Sequence, residues 1–184
     1  MNDVLKAIAE RNSCRDFSGE ALTDAQVNTL VDAALAAPSA MNAMPWFVIM
    51  ITDKKLLDEL DTAILAHIQA TNPGFYEKMQ ERGGKIFYNA PALMLIAKQD
   101  ESKWAALDAG IVTQNVALAA HSMGLGNVIC GMMGIAFDTP QSAEWTKRLQ
   151  IPEGYSFGMS VCIGKANKGK EPHELNREKV AYIK

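Results

Sequence analysis

Two runs of uninterrupted apolar side chains, WFVIMI at Trp46–Ile51 and ALMLIA at Ala92–Ala97, set the frame for this sequence. Both have strand length, and their continuity predicts strands of a buried sheet. Around them the spacing turns helical. Val4, Leu5, Ile8 and Ala9 repeat at helical intervals, and LTDAQVNTLVDAALAAP reads as a helix with Thr23 and Gln26 as a capping box and Pro38 as its stop. KKLLDELDTAILAHIQA follows a cap at Thr52 or Asp53 and ends at Asn72-Pro73-Gly74. SKWAALDAGIVTQNVALAAHSMG is the longest helix, and its small side chains suit close helix approach before a glycine stop at Gly124. Pro140 and Pro152 bracket a short helix, and YSFGMSVCIGKA supplies the last core strand. The 184 residues suffice for one core, so a single domain over 1–184 is expected. Within it, 71–84 mixes Gly, Pro, aromatics and charge and is expected to be a mobile lid. The polar segment 165–184 has no core of its own and is expected to lie as an arm across another subunit.

Charge and cysteine usage remove several classes of function. With 18 basic and 21 acidic residues the net charge is -3, which gives no global attraction to nucleic acid. No apolar stretch approaches the roughly 18 residues of a membrane helix. The beginning, MNDVLKAIAERNSCRDF, lacks the apolar core of a signal peptide, so a cytoplasmic location with reduced Cys14, Cys130 and Cys162 is expected. His67, His121 and His173 show no metal-ligand spacing, and His121 reads as a core residue of an apolar helix. There is no G-x-S-x-G elbow. That scarcity of nucleophiles and bases means that an enzyme of this sequence would draw its chemistry from a cofactor.

Four places have the composition of a binding site. In ERNSCRDF, Arg11, Ser13 and Arg15 alternate, so an extended loop would turn two guanidiniums and a hydroxyl to one side, a set suited to an oxyanion; a solvated loop is the plainer reading. Between a helix and a strand, PSAMNAMP is longer than a plain connection needs, and its Pro38, Ser39 and Asn42 suit hydrogen bonding to a flat heterocycle or a polyol. GLGNVICGMMG follows a helix and so fits neither a dinucleotide nor a P-loop fingerprint. As a glycine-rich strand it would let the backbone at Gly131 approach a ligand face. Lys165, Lys168 and Lys170 would complete an anion site if Arg11 and Arg15 point the same way.

Taken in order, RNSCRDF, APSAMNAMPWFVI, NAPALMLI, DAGIVTQNVALAAHSMGLGNVICG and CIGKANKGKEP resemble the FMN-dependent nitroreductase family from Ala7 to about Val180. The resemblance implies an α+β sandwich, with a mostly antiparallel sheet between helices, and an intertwined homodimer with FMN at its interface. It further implies that Arg11 binds the FMN phosphate, that Asn12 and Ser13 contact the flavin, and that Arg15 sits near the pyrimidine edge, where a cation favours hydride acceptance. Pro38, Ser39, Ala40 and Asn42 would reach the cofactor from the second subunit. Cys130, Gly131 and Met132 would face the flavin N5, and Lys168 and Lys170 would close over the phosphate. The helix from Trp104 to Met123 would be the central dimer helix. Many relatives carry arginine at Asn12 and glutamine at Met44, so those two positions depart from the pattern. The implied activity is ping-pong reduction of nitroaromatics, quinones or related electrophiles by NADH or NADPH, with no side chain required as general acid. A specialised flavin reaction on the same fold, such as flavin or enone reduction or dehalogenation, and a non-catalytic FMN-binding or storage protein are the alternatives. A non-flavin helical interaction protein is the third.

Overall fold

A computed structural model describes all 184 residues. At its centre, β1 (Trp46–Ile51), β2 (Ala92–Gln99), β3 (Gly126–Ile129) and β4 (Tyr155–Gly164) form one sheet in the order β1-β2-β4-β3, with every neighbouring pair antiparallel. Six helices surround it: α1 (Asp3–Glu10), α2 (Asp24–Leu35), α3 (Lys54–Thr71), α4 (Pro73–Glu81), α5 (Ala105–Ser122) and α6 (Ser142–Arg148). Alternation along the strands sorts the core into two layers. Met94, Ile96, Val161 and Ile163 pack with Leu30 and Ala34 of α2 and Val112 and Val116 of α5. Leu93, Leu95, Ala97 and Cys162 pack on the opposite side with Leu57, Leu60 and Ile64 of α3 and Met133 and Trp145. Cover on both faces is why β2 reads as a continuous apolar run, and each large side chain so buried contributes about 1.5–3 kcal/mol. The architecture is the expected α+β sandwich.

Local signals place the helix starts. Thr23 Oγ1 accepts from Gln26 N at 3.2 Å while Gln26 Oε1 accepts from Thr23 N at 2.9 Å, which completes the capping box. Asp53 Oδ1 accepts from the N–H groups of Lys55 and Leu56 and starts α3. Gly124 has φ +73°, the left-handed stop expected after α5. Two boundaries differ from the reading by composition. α2 ends at Leu35, ahead of Pro38, because the residue before a proline is driven away from helical geometry. Gly131 opens a 3-10 segment, Gly131–Asp138, and is not part of a strand, because β3 ends at Ile129. Within 71–84, Asn72 caps α4 by accepting from Phe75 N, and Met79 is buried against the core.

Several apolar surfaces find no partner within the chain. Val4, Leu5 and Ile8 of α1 are 66, 52 and 52 % exposed. Leu107 and Gly110 of α5 lie open, as do Val180, Tyr182 and Ile183 near the C-terminus. No helix is long and apolar enough to cross a membrane.

Candidate cofactor site

The first loop, residues 11–18, is built into the edge of the sheet. Cys14 N donates to Asn127 O at 2.8 Å, Ser13 bridges to Asn127 of β3, and Phe17 bridges to Ala166 just beyond β4. Ser18 N donates to Lys165 O and Asn167 N to Asp16 O, each at 3.0 Å, and the Asn167 side chain donates to Asp16 Oδ1. Glycine at 126 allows this seating, since a Cβ there would stand 2.9 Å from both Cys14 Cβ and Cys14 Sγ. The same stitching carries the start of the C-terminal segment to the loop. Asn12, Cys14, Asn127 and Lys168 line one cavity of about 170 Å³. Lys165 is taken by Glu20 at 2.9 Å, whereas Lys168 and Lys170 stay exposed with no acidic partner.

Two buried polar atoms here lack a partner within the protein: Arg11 Nη1 and Asn127 Oδ1. A guanidinium nitrogen shielded from water and unpaired is costly unless something else accepts from it. Arg11 thus fits an anionic group supplied by a ligand. Arg15 projects outward, exposed, and its guanidinium lies beside the Tyr88 hydroxyl; burial raises the Tyr88 pKa, and the Arg15 contact partly offsets that rise. Tyr88 and the following Asn89 have φ +55° and +61°, left-handed values rare for such residues. Sequence spacing does not reveal this segment, because its shape comes from a remote carboxylate: Asp61 Oδ1 accepts from the N–H groups of Ile86 and Phe87 at 2.7 and 3.0 Å.

Cys130 is fixed on both sides of its peptide. Its N–H donates to Ser160 O at 2.8 Å, and Ser160 Oγ donates to Cys130 O at 2.6 Å. Cys162 lies beside Cys130, and that neighbour together with burial pushes the Cys162 thiol well above its ordinary range. Two cysteines that are distant in sequence therefore meet across β3 and β4, an arrangement no local spacing announces. Beyond this fixed peptide Gly131 is exposed, and a Cβ there would find no protein atom within 4 Å. Packing within the chain does not explain that glycine, and its bare backbone leaves an open face. Met132 beside it is half-buried. His121, read from the sequence as a core residue, is instead half-buried at the helix surface, with Nε2 4.0 Å from Glu10 Oε2.

The second loop stands apart. Met41, Asn42 and Met44 have φ +53°, +55° and +45°, and Met41 is 94 % exposed. Ser39 Oγ accepts from Met44 N at 2.8 Å, and Ala40 N donates to Asp108 Oδ1 at 3.3 Å. Pro38 and Asn42 are exposed, and Ser39 and Ala40 are half-buried. The loop leads into Trp46, which faces Lys98 and, one strand further, Ser156; Ser13 faces Asn127, which pairs with Ile163, seven residues along β4 from Ser156. Four strand spacings and that offset separate the loop anchors by roughly 19 Å across the sheet and about 23 Å along it. One chain thus brings Arg11, Asn12, Ser13, Arg15 and Lys168 to one edge and holds Pro38, Ser39, Ala40 and Asn42 at the other, while Lys170 is exposed with no contact that fixes it to the first loop.

This architecture has close counterparts among known proteins. The structure of a nitroreductase with bound FMN from Desulfitobacterium hafniense DCB-2 superposes with a TM-score of 0.96, is 41 % identical, and matches over 100 % of both chains. An FMN-dependent nitroreductase from Clostridium difficile R20291 gives a TM-score of 0.84 at 29 % identity, over 99 % of each chain. An NADPH-flavin oxidoreductase of Vibrio harveyi is 26 % identical over 178 residues, which cover 93 % of this chain and 69 % of that protein. The sequence model of the nitroreductase family matches residues 8–165, and the chain belongs to that family.

Proposed function

We propose that this protein is an FMN-dependent oxidoreductase. It takes reducing equivalents from NADH or NADPH and passes them to nitroaromatics, quinones or related electrophiles in a ping-pong cycle. The observation that carries this reading is Arg11, with a buried guanidinium nitrogen that no protein atom pairs, in a chain 41 % identical throughout to an FMN-bound nitroreductase. FMN, when bound, supplies hydride acceptance and donation. The chain supplies the rest. Arg11, with Lys168 and Lys170, holds the phosphate by charge-assisted hydrogen bonds, and Asn12 and Ser13 lie beside it. Arg15 places positive charge at the pyrimidine edge, where the reduced ring gathers negative charge. Cys130, Gly131 and Met132 offer a fixed backbone whose open glycine admits a flat ring.

The working unit in this reading is a homodimer. Pro38, Ser39, Ala40 and Asn42 are too far from Arg11 to share one flavin with it inside a single chain, so they serve the cofactor of a second copy. Gly110 supports the same conclusion. A glycine inside a helix costs about 0.5–1 kcal/mol, and here a Cβ would meet nothing within 4 Å, so no contact within the chain requires it. Close approach of a second α5 does. Gly110→Leu should leave the chain folded but shift it from dimer to monomer in sedimentation, with loss of FMN; a variant that stays dimeric and yellow would remove α5 from the interface.

The direct test is the visible absorption spectrum of the purified protein, followed by anaerobic titration with NADPH and then NADH. Flavin bands that bleach with either nucleotide support the reductase and identify the donor. Bands that resist both favour a storage role, and no flavin after added FMN would overturn the reading.

A further inference from the structure

Asp108 is 2 % exposed in the first turns of α5, far in sequence from the loop it touches. Its Oδ1 accepts from Ala40 N at 3.3 Å, and its Oδ2 is buried with no partner in the chain. As a contribution to folding this is a poor arrangement. A carboxylate removed from water with one oxygen unpaired and one long bond costs stability, and an apolar side chain of similar volume would serve the core better. What Asp108 does hold is the entry to a segment in which Met41, Asn42 and Met44 are all left-handed. Residues other than glycine stay in that region only where their surroundings impose it, and such strain gathers where a ligand must be gripped. Inside the loop the restraints are short-range: Asn42 N to Ser39 O, Ala43 N to Ala40 O, and Met44 N to Ser39 Oγ. These fix the shape of the turn. At its exit the turn is tied to β1 by Trp46 N, which donates to Met44 O at 2.8 Å; at its entry the Asp108 bond is the tie to the core.

We infer that Asp108 is a positioning residue for the cofactor: it orients the 39–44 loop so that Ser39 and Asn42 meet FMN already in their binding geometry. The inference rests on the reading of that loop as a flavin clamp. It says that the sequence spends stability at position 108 to preorganise a contact made by other residues.

The test compares Asp108→Leu, Asp108→Asn and Asn42→Ala by FMN titration, with thermal unfolding of the same apoproteins. Asp108→Leu should raise the FMN dissociation constant about tenfold, the size of one lost anchoring bond, with an unchanged or higher Tm. Asp108→Asn keeps an Oδ1 acceptor and should recover most of the affinity. The double variant Asp108→Leu/Asn42→Ala should bind FMN no more weakly than Asn42→Ala alone, because the first change acts through the second. If Asn42→Ala weakens FMN and Asp108→Leu does not, the positioning role is wrong and the clamp stands. If neither changes FMN affinity, the clamp itself is wrong. A loss of Tm in Asp108→Leu that accompanies the loss of FMN would make Asp108 a folding residue only. Should Asp108→Leu not fold, hydrogen exchange on the wild-type protein decides: a protected Ala40 amide supports the anchor, and an unprotected one overturns it.

Discussion

The two loops expected at the cofactor are held in opposite ways. Residues 11–18 are sewn to β3 and to the segment after β4 by main-chain hydrogen bonds from Cys14, Ser18 and Asn167, with Cys14 and Phe17 buried beneath them. Residues 38–44 leave the core after Ala37, expose Met41, and return at Pro45 and Trp46, with a single side chain, Asp108, tying them inward. The first loop is part of the sheet's edge, so its geometry is fixed by folding of one chain. The second is presented outward in a strained conformation, which makes sense when its target lies on another molecule. A change that unseats the first loop from the sheet should therefore cost stability and cofactor binding together, whereas the second loop can lose binding without stability.

That contrast can be broken most forcefully at Arg11. Arg11→Ala should weaken FMN binding by about 1.5–3 kcal/mol, the value of a hydrogen bond to a charged group. The apoprotein should lose no stability, because the guanidinium nitrogen removed has no partner in the chain. FMN titration and thermal unfolding measure the two effects, and unchanged FMN affinity would take Arg11 out of the site. Gly126→Val tests the seating of the same loop. Its Cβ would press on Cys14 at 2.9 Å, and overpacking of this kind costs roughly 1–3 kcal/mol. Denaturant midpoint and FMN affinity should fall together; a stable variant with weakened FMN would mean that the loop can move without the sheet.

Ser39→Ala sharpens the other half. It removes the acceptor for Met44 N and should weaken FMN by about 1 kcal/mol with a nearly unchanged Tm. A Tm that fell in step with affinity would show the second loop to be as much part of the fold as the first. The smallest effect concerns Asp61, under the anchored side. Burial raises its pKa, with its hydrogen bonds from Phe87 and Ile86 opposing, so the folded chain keeps the proton at a pH where the unfolded chain has lost it. The native state then binds more protons than the unfolded state just above about pH 4, and stability from this group falls as pH rises through that window. Asp61→Asn keeps the Oδ1 acceptor for Ile86 and Phe87 and should flatten that part of the profile. A slope that survives the substitution belongs to another group.

What the sequence by itself determined is local or additive. Thr23 with Gln26, Asp53 and Gly124 mark helix ends because caps act over a few residues, and WFVIMI and ALMLIA mark strands because each side chain's burial counts separately. The five ordered blocks carried the resemblance to the family, and the fold class was what that resemblance implied. Tertiary structure decided everything that depends on two distant segments meeting. Sheet order put β1 and β3 at opposite edges, and with that it separated Ser39 and Asn42 from Arg11. The turn at Tyr88 depends on Asp61, the fixed peptide at Cys130 on Ser160, and the strained loop at Met41 on Asp108. None of these partners lies within a helical turn or a hairpin of the residue it governs, so no periodicity records them. They exist because chain entropy spent on closing long loops is repaid only when the whole core packs at once.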